Sequence, residues 1–197
     1  MTFATGGSQW LWFISRGSGL VLLVALSSVV ALGVATRLGS SPGRLPLFVV
    51  AELHRTLSLF GVALLALHVT TALLDPFVSI GWIASVVPFV SHYKAVAIGL
   101  GALAVDLLGA VLITSLLRHR LGYRTWRGLH WFAYIAWPIA VVHAFQAGTD
   151  FRIWWAAALE WGAVGMVATA VAARLLGRFR SPGSQRFERA RSRGAAA

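Results

Sequence analysis

The chain has no cysteine, which excludes disulfides, thiolate metal ligands, iron–sulfur ligation and cysteine nucleophiles. Charge is scarce: 12% of the 197 residues are charged, against 58% hydrophobic. A soluble domain of this length needs far more polar surface, so the excess apolar surface must face lipid. Acidic residues are rarest, six against seventeen Lys and Arg, for a formal charge of +11. Such a balance raises nucleic acid as a partner. The arginines, however, lie between apolar runs and in the tail, which suits membrane topology and lipid headgroups and argues for no nucleic acid. Nine Trp residues agree, because indole favours the bilayer interface. No Ser–His–Asp set, phosphate-binding glycine loop or zinc-type spacing appears, so hydrolysis is unsupported.

Five apolar stretches, near 10–36, 47–74, 94–117, 128–147 and 153–176, are long enough to cross a hydrocarbon core of roughly 30 Å. Lipid offers no partner to unpaired backbone groups, so the expected fold is an all-α integral membrane bundle of about five helices. Gly39 to Pro46 and Arg118 to Gly128 read as turns. Pro76 to Pro88 is apolar but short and bracketed by proline, and reads as a re-entrant or interface-lying segment rather than a sixth span.

Charge asymmetry sets the expected orientation. Arg37 and Arg44 follow the first span, and Arg118, Arg120, Arg124 and Arg127 follow the third. The C-terminal region adds Arg174, Arg178, Arg180, Arg186, Arg189, Arg191 and Arg193; the opposite side carries Lys94, Arg152, Asp75 and Asp150. The positive-inside rule then places the N-terminus outside and the C-terminus in the cytoplasm of a multi-pass protein, expected in a bacterial plasma membrane. No basic region precedes the first apolar run, which argues against a cleaved signal peptide. Residues 1–176 are expected to form one membrane domain, and 177–197 a disordered basic cytoplasmic tail.

Four of the six histidines fall inside spans: His54 and His68 on the second, His130 and His143 on the fourth. The second and fourth spans run parallel, and each pair is separated by roughly 20 Å along its helix. His54 therefore matches His130 in depth, and His68 matches His143. Two imidazoles meeting from opposite sides are what a low-spin haem iron takes as axial ligands, so the set points to two b-type haems. Fourteen residues return to within roughly 40° of the starting face, so His54 and His68 point the same way. Thirteen residues miss by roughly 140° in an ideal helix; Pro138, between His130 and His143, can unwind or kink the helix, and the sequence alone leaves open whether that corrects the phase. Gly61, seven residues from each of His54 and His68, would let a porphyrin edge approach the backbone.

A single intramembrane His is more often a hydrogen-bonded packing residue or a proton-pathway group. A proton relay, or a haem-free proton-coupled transporter or channel, is the alternative reading of the set; a single non-haem metal site fits poorly, because the paired positions lie far apart along the membrane normal. His92 and His119 read as surface residues. Arg55 and Arg127, beside inner ligands, and Arg16, two turns inside the first span, are candidates for haem propionates; topology and snorkelling explain them otherwise. Asp106 and Glu160 are intramembrane carboxylates able to carry protons or to bind as neutral acids. Trp131, Trp137, Trp154, Trp155 and Phe132 suit interfaces or core filling.

The segments WLWFISRGSGLVLL (10–23), HRTLSLFGVALLALHVTTALLDPF (54–77) and LGYRTWRGLHWFAYIAWPIAVVHAFQAGTD (121–150) resemble the ferric reductase-like transmembrane domain family. That family includes ferric reductases, NADPH oxidase membrane domains and the haem-binding subunits of methionine sulfoxide reductase systems. The resemblance covers roughly residues 10–176. It implies bis-His pairs at His54 with His130 and at His68 with His143, and inward-to-outward electron flow by an oxidoreductase or electron-transfer subunit. Two departures stand out: many members have six spans, and many fuse a flavin and nicotinamide module after the last one. The implied donor here is then a separate flavoprotein reductase or a quinol, and the implied acceptor a ferric chelate or an outer partner enzyme.

Overall fold

The computed structural model describes residues 5–38, 45–76, 78, 80–148 and 153–179. Every long element is a helix: α1 (Thr5–Leu38), α2 (Leu47–Leu74), α3 (Ala95–Leu116), the short α4 (Arg118–Leu121) and α5 (Tyr123–His130), α6 (Phe132–Ala147) and α7 (Trp154–Phe179). Five stretches are long and apolar enough to cross a bilayer: Gln9–Leu38, Leu47–Leu74, Ala95–Leu116, Tyr123–Ala147 and Trp154–Leu176. These are the expected spans, with boundaries moved by a few residues. The fourth begins earlier than 128 because α5 leads directly into α6. Most of the Gly39–Pro46 turn and the tail from 180 onward lie outside the described residues, and α7 extends to Phe179, past the expected end of the membrane domain.

Among the described residues of 76–88 there is no spanning helix, and the regular element they show is a 3-10 turn, Ile83–Ser85, followed by Phe89 and Lys94 in left-handed backbone, at φ 67° and 40°. Non-glycine residues rarely adopt that region unless held. Phe89 is held: its ring and backbone fill the space that a side chain at Gly99 of α3 would need. Trp82, Ile83 and Val86 remain exposed, an apolar fringe at the end of the bundle.

The helices pack as two hairpins. α2 lies along α1, α6 lies along α3, and α7 backs α1, which also touches α6. Among the described residues α2 makes no comparable packing with α3, α6 or α7. The two helices that carry the paired histidines therefore run side by side across a space rather than against each other. Much of their remaining surface is exposed leucine, phenylalanine and isoleucine, such as Leu59, Phe60, Leu67 and Ile135, as lipid-facing helices require.

Polar contacts join the hairpins at several depths, from the exposed Arg37–Tyr123 pair to partly buried ones. Trp137 of α6 donates its indole N–H to Ser27 Oγ of α1 at 2.8 Å, and Ser27 in turn donates to the Leu23 carbonyl at 2.8 Å. Ser27 is fully buried. Arg174 of α7 donates to Tyr134 Oη of α6 at 2.8 Å and lies 4.9 Å over the Trp131 ring. Removing the α6–α1 contact with Trp137→Phe should cost about 0.5–1.5 kcal/mol, read as a lower thermal midpoint of the purified protein in detergent.

Candidate functional site

The four intramembrane histidines meet in two pairs. The ring centres of His54 and His130 are 6.3 Å apart with planes at 65°. Those of His68 and His143 are also 6.3 Å apart, with planes at 79°. The pairing by depth expected from the sequence is the pairing found, one member from α2 and the other from the α5–α6 span.

Three of the four rings are steered by the helix behind them. His54 Nδ1 lies 2.9 Å from the Val29 carbonyl, His68 Nδ1 lies 2.8 Å from the Ser15 carbonyl, and His143 Nδ1 lies 2.7 Å from the Ala97 carbonyl. A carbonyl only accepts, so Nδ1 carries the proton in all three rings, and Nε2 keeps its lone pair. The acceptors belong to α1 for the α2 histidines and to α3 for the α6 histidine. The lone pairs are thus directed away from the bracing helices.

Glycine makes these approaches possible. A Cβ at Gly19 would stand 2.9 Å from His68 Cε1, one at Gly33 would stand 3.3 Å from His54 Cε1, and one at Gly101 would stand 2.7 Å from His143 Cε1. Each accepting carbonyl is four residues before its glycine, one helical turn back. Sequence reasoning missed these glycines, although a trace was present. Gly19 and Gly33 are fourteen residues apart, as are His54 and His68, and on antiparallel helices the two spacings interlock.

His130 differs from the other three. Its Nδ1 is buried and has no hydrogen-bond partner in the protein. The ring instead stacks on Trp126, with centres 5.2 Å apart and planes at 32°. His130 is the last residue of α5, and the regular winding breaks at Trp131. There the Trp131 N–H donates to the Gly128 carbonyl and the Tyr134 N–H to the Trp131 carbonyl, at 3.2 and 3.0 Å. These three-residue hydrogen bonds wind more tightly than an α-helix and advance the phase in the direction the His130–His143 spacing needs. The tightened winding lies at Trp131, and α6 is helical on both sides of Pro138.

The remaining expected residues separate into two groups. A cavity of about 240 Å³ is lined by His68, His143, Arg16, Asp75 and Glu160 among others. Asp75 and Glu160 are buried there, 3% and 5% exposed, and the Arg16 guanidinium lies 4.6 Å over the Trp12 ring. Asp75, met in the sequence only as a loop charge, thus joins the intramembrane carboxylate Glu160. Asp106, by contrast, is exposed on α3. Arg55 is exposed and pairs with Glu52 at 3.8 Å, a surface contact of little energetic weight. Arg127, His92 and His119 are exposed. Gly61 is buried, and a Cβ there would lie 3.7 Å from Leu26 on α1. Trp154 is 81% exposed, in keeping with an interface role.

Alanine at glycine positions should separate steric need from helix propensity. Gly109 has open space where a Cβ would stand, so Gly109→Ala should stabilise α3 by about 0.5–1 kcal/mol. Gly101→Ala, on the same helix, should destabilise by about 1–3 kcal/mol because the His143 ring must move. Gly33→Ala should fall between them. Thermal midpoints in detergent, rising for Gly109→Ala and falling for Gly101→Ala, check the order.

Comparison with curated proteins gives no significant match, and neither does comparison with solved structures. A family model does match: residues 18–141 fit the ferric reductase like transmembrane component. The matched range takes in Gly19, Gly33, His54, His68, Gly101 and His130, and ends two residues before His143. With well over half of its length matched, five membrane-spanning helices and paired intramembrane histidines, the chain belongs to the ferric reductase-like transmembrane family.

Proposed function

We propose that the protein carries electrons across the membrane through two b-type haems, held by His54 with His130 and by His68 with His143. Membership of the family supports transmembrane electron transfer in general. The observation that carries the two-haem reading is the equal spacing of the pairs. An iron bound by two imidazoles, with metal–nitrogen bonds of about 2 Å and roughly 1.1 Å more to each ring centre, sets the centres about 6.2 Å apart. Both pairs, at 6.3 Å, come close to that separation. Three of the four rings also have Nδ1 committed to a carbonyl, the second-shell arrangement that fixes a ligating imidazole. Among the described residues no three His, Asp or Glu side chains cluster as a protein-only metal site would require. Two facing nitrogens suit an iron whose other four positions are filled by a porphyrin.

Haem supplies one-electron redox chemistry when bound. The chain supplies orientation, burial and charge. α1 and α3 turn the imidazoles into the space between α2 and α6, and the lipid-facing helices keep water from it. Arg16, on the wall of the cavity beside His68 and His143, is placed to meet an outer propionate. Arg55 and Arg127 are the candidates at the other level, and Gly61 lies between the two levels on α2.

In this reading the arginine-rich ends face the cytoplasm, the His54/His130 level lies toward that side, and electrons leave from the His68/His143 level. The donor is a flavoprotein reductase or a quinol, and the acceptor is a ferric chelate or a partner enzyme on the outer side. A bacterial plasma membrane is the setting this orientation describes.

Haem content by pyridine haemochrome, after expression in a haem-replete host, tests the proposal, with two haems per chain expected. His68→Ala and His143→Ala should each lose one of the two, and His54→Ala and His130→Ala the other. A colourless preparation, or four variants with the haem content of the wild type, would contradict it.

A further inference from the structure

α5 carries three aromatic rings along one face. Tyr123 and His130 are its first and last residues, and Trp126 stands between them at helical spacing. The rings of Tyr123 and Trp126 have centres 5.8 Å apart with planes at 40°, and Trp126 stacks on His130 at 5.2 Å and 32°. Neighbouring helices hold this ladder in place. The Trp126 indole N–H donates to Ser115 Oγ of α3 at 3.4 Å, and Arg37 of α1 donates to Tyr123 Oη at 3.5 Å. The first rung is open, with Tyr123 61% exposed, whereas Trp126 is half-buried. The last rung is the histidine that faces His54 of α2. Among the described residues none of the other three histidines stacks on a Trp, Tyr or Phe ring. An interface belt accounts for a Tyr and a Trp at this depth, but not for their continuous stacking onto a paired histidine.

The surroundings of Tyr123 are basic. Its hydroxyl faces the guanidinium groups of Arg37 and Arg127, and Arg118, Arg120 and Arg124 are exposed on the same short helices. We propose that α5 is the electron-entry port of the His54/His130 level: Tyr123 and Trp126 conduct to His130, and the arginines around Tyr123 seat a donor protein whose redox centre is rimmed by acidic side chains. The inference rests on the two-haem reading and narrows its donor to a protein. A positive rim attracts and orients an acidic partner, whereas a quinol arriving through lipid gains nothing from charges around an exposed ring. One electron leaves the donor and one ferric iron becomes ferrous. The two rings pass the electron through their stacked π-faces without being oxidised themselves, and no proton is transferred.

The chain has no cysteine, so single cysteines can carry a ruthenium bipyridine photoreductant to chosen places on the haem-loaded protein. His119→Cys, exposed on α4, labels the arginine-rich end, and Trp82→Cys, exposed before the 3-10 turn, labels the opposite one. Flash-induced haem reduction from position 119 should slow several-fold in Trp126→Leu and in Tyr123→Leu, and from position 82 it should not change. Trp126→Phe and Tyr123→Phe keep a ring and should stay close to the wild-type rate. Binding is read separately from electron flow, with an oxidised flavodoxin as the acidic probe and the protein in nanodiscs of zwitterionic phosphatidylcholine. Its affinity should fall with added salt, and should fall several-fold in the double variant Arg120→Gln/Arg124→Gln. If Trp126→Leu fails to hold both haems, Tyr123→Leu, two turns from His130, is read. Unchanged rates in the Leu variants, equal slowing from both labels, or Phe variants as slow as Leu overturn the inference. So does an absence of flavodoxin binding, or binding that salt and the Gln substitutions leave unchanged. A preparation without haem removes the proposed function and this inference together; the other adverse results, obtained on a two-haem protein, remove this inference alone.

Discussion

A histidine inside a bilayer has one N–H that must be satisfied, and here three of four spend it on a main-chain carbonyl of the adjacent helix. Much of the bundle follows from that hydrogen bond. The acceptor is a helical carbonyl already bonded within its own helix, so the ring has to come close to the backbone. Only a residue without a side chain permits this, and Gly19, Gly33 and Gly101 stand at those places. Once Nδ1 is committed, the Nε2 lone pair can only point away from the bracing helix. Small residues, hydrogen bonds and pair geometry form one chain of causes.

The same unit occurs twice. α1 braces α2 and α3 braces α6, each pair being an antiparallel hairpin with a glycine-bearing helix behind a histidine-bearing one. No internal repeat is evident when the residues are compared one by one, because lipid-facing positions tolerate nearly any apolar side chain. The second hairpin departs from the first where α4 and α5 interrupt the run between α3 and α6. The two levels are inequivalent because the two hairpins are.

Much of this architecture was legible beforehand, and the reason is physical. Span lengths follow from bilayer thickness, and the depth matching of His54 with His130 and His68 with His143 needs only the helical rise and the parity of the spans. What stayed hidden depended on three-dimensional register. Gly19, Gly33 and Gly101 are ordinary glycines in apolar helices until the antiparallel alignment is known. Proline is the usual breaker, so Pro138 is the residue the sequence offers for the phase of His130 against His143. The winding instead changes at Trp131, where three-residue hydrogen bonds flank a ring stacked on Trp126. Burial of Asp75 in the cavity that Glu160 also lines was invisible because the Ile83–Ser85 turn and Phe89 fold back onto α3.

The space between α2 and α6 bears on stability as well as on chemistry. α2 is attached to the bundle almost wholly through α1, and its other faces offer apolar side chains to whatever lies beside them. A ligand gripped from both sides at two levels would join the hairpins where side chains do not, and binding only to the assembled state shifts the folding equilibrium toward it. The two walls differ at one ring: both α2 histidines place Nδ1 on a carbonyl of α1, whereas His130, at the break before α6, stacks on Trp126 with no hydrogen-bond partner for its Nδ1.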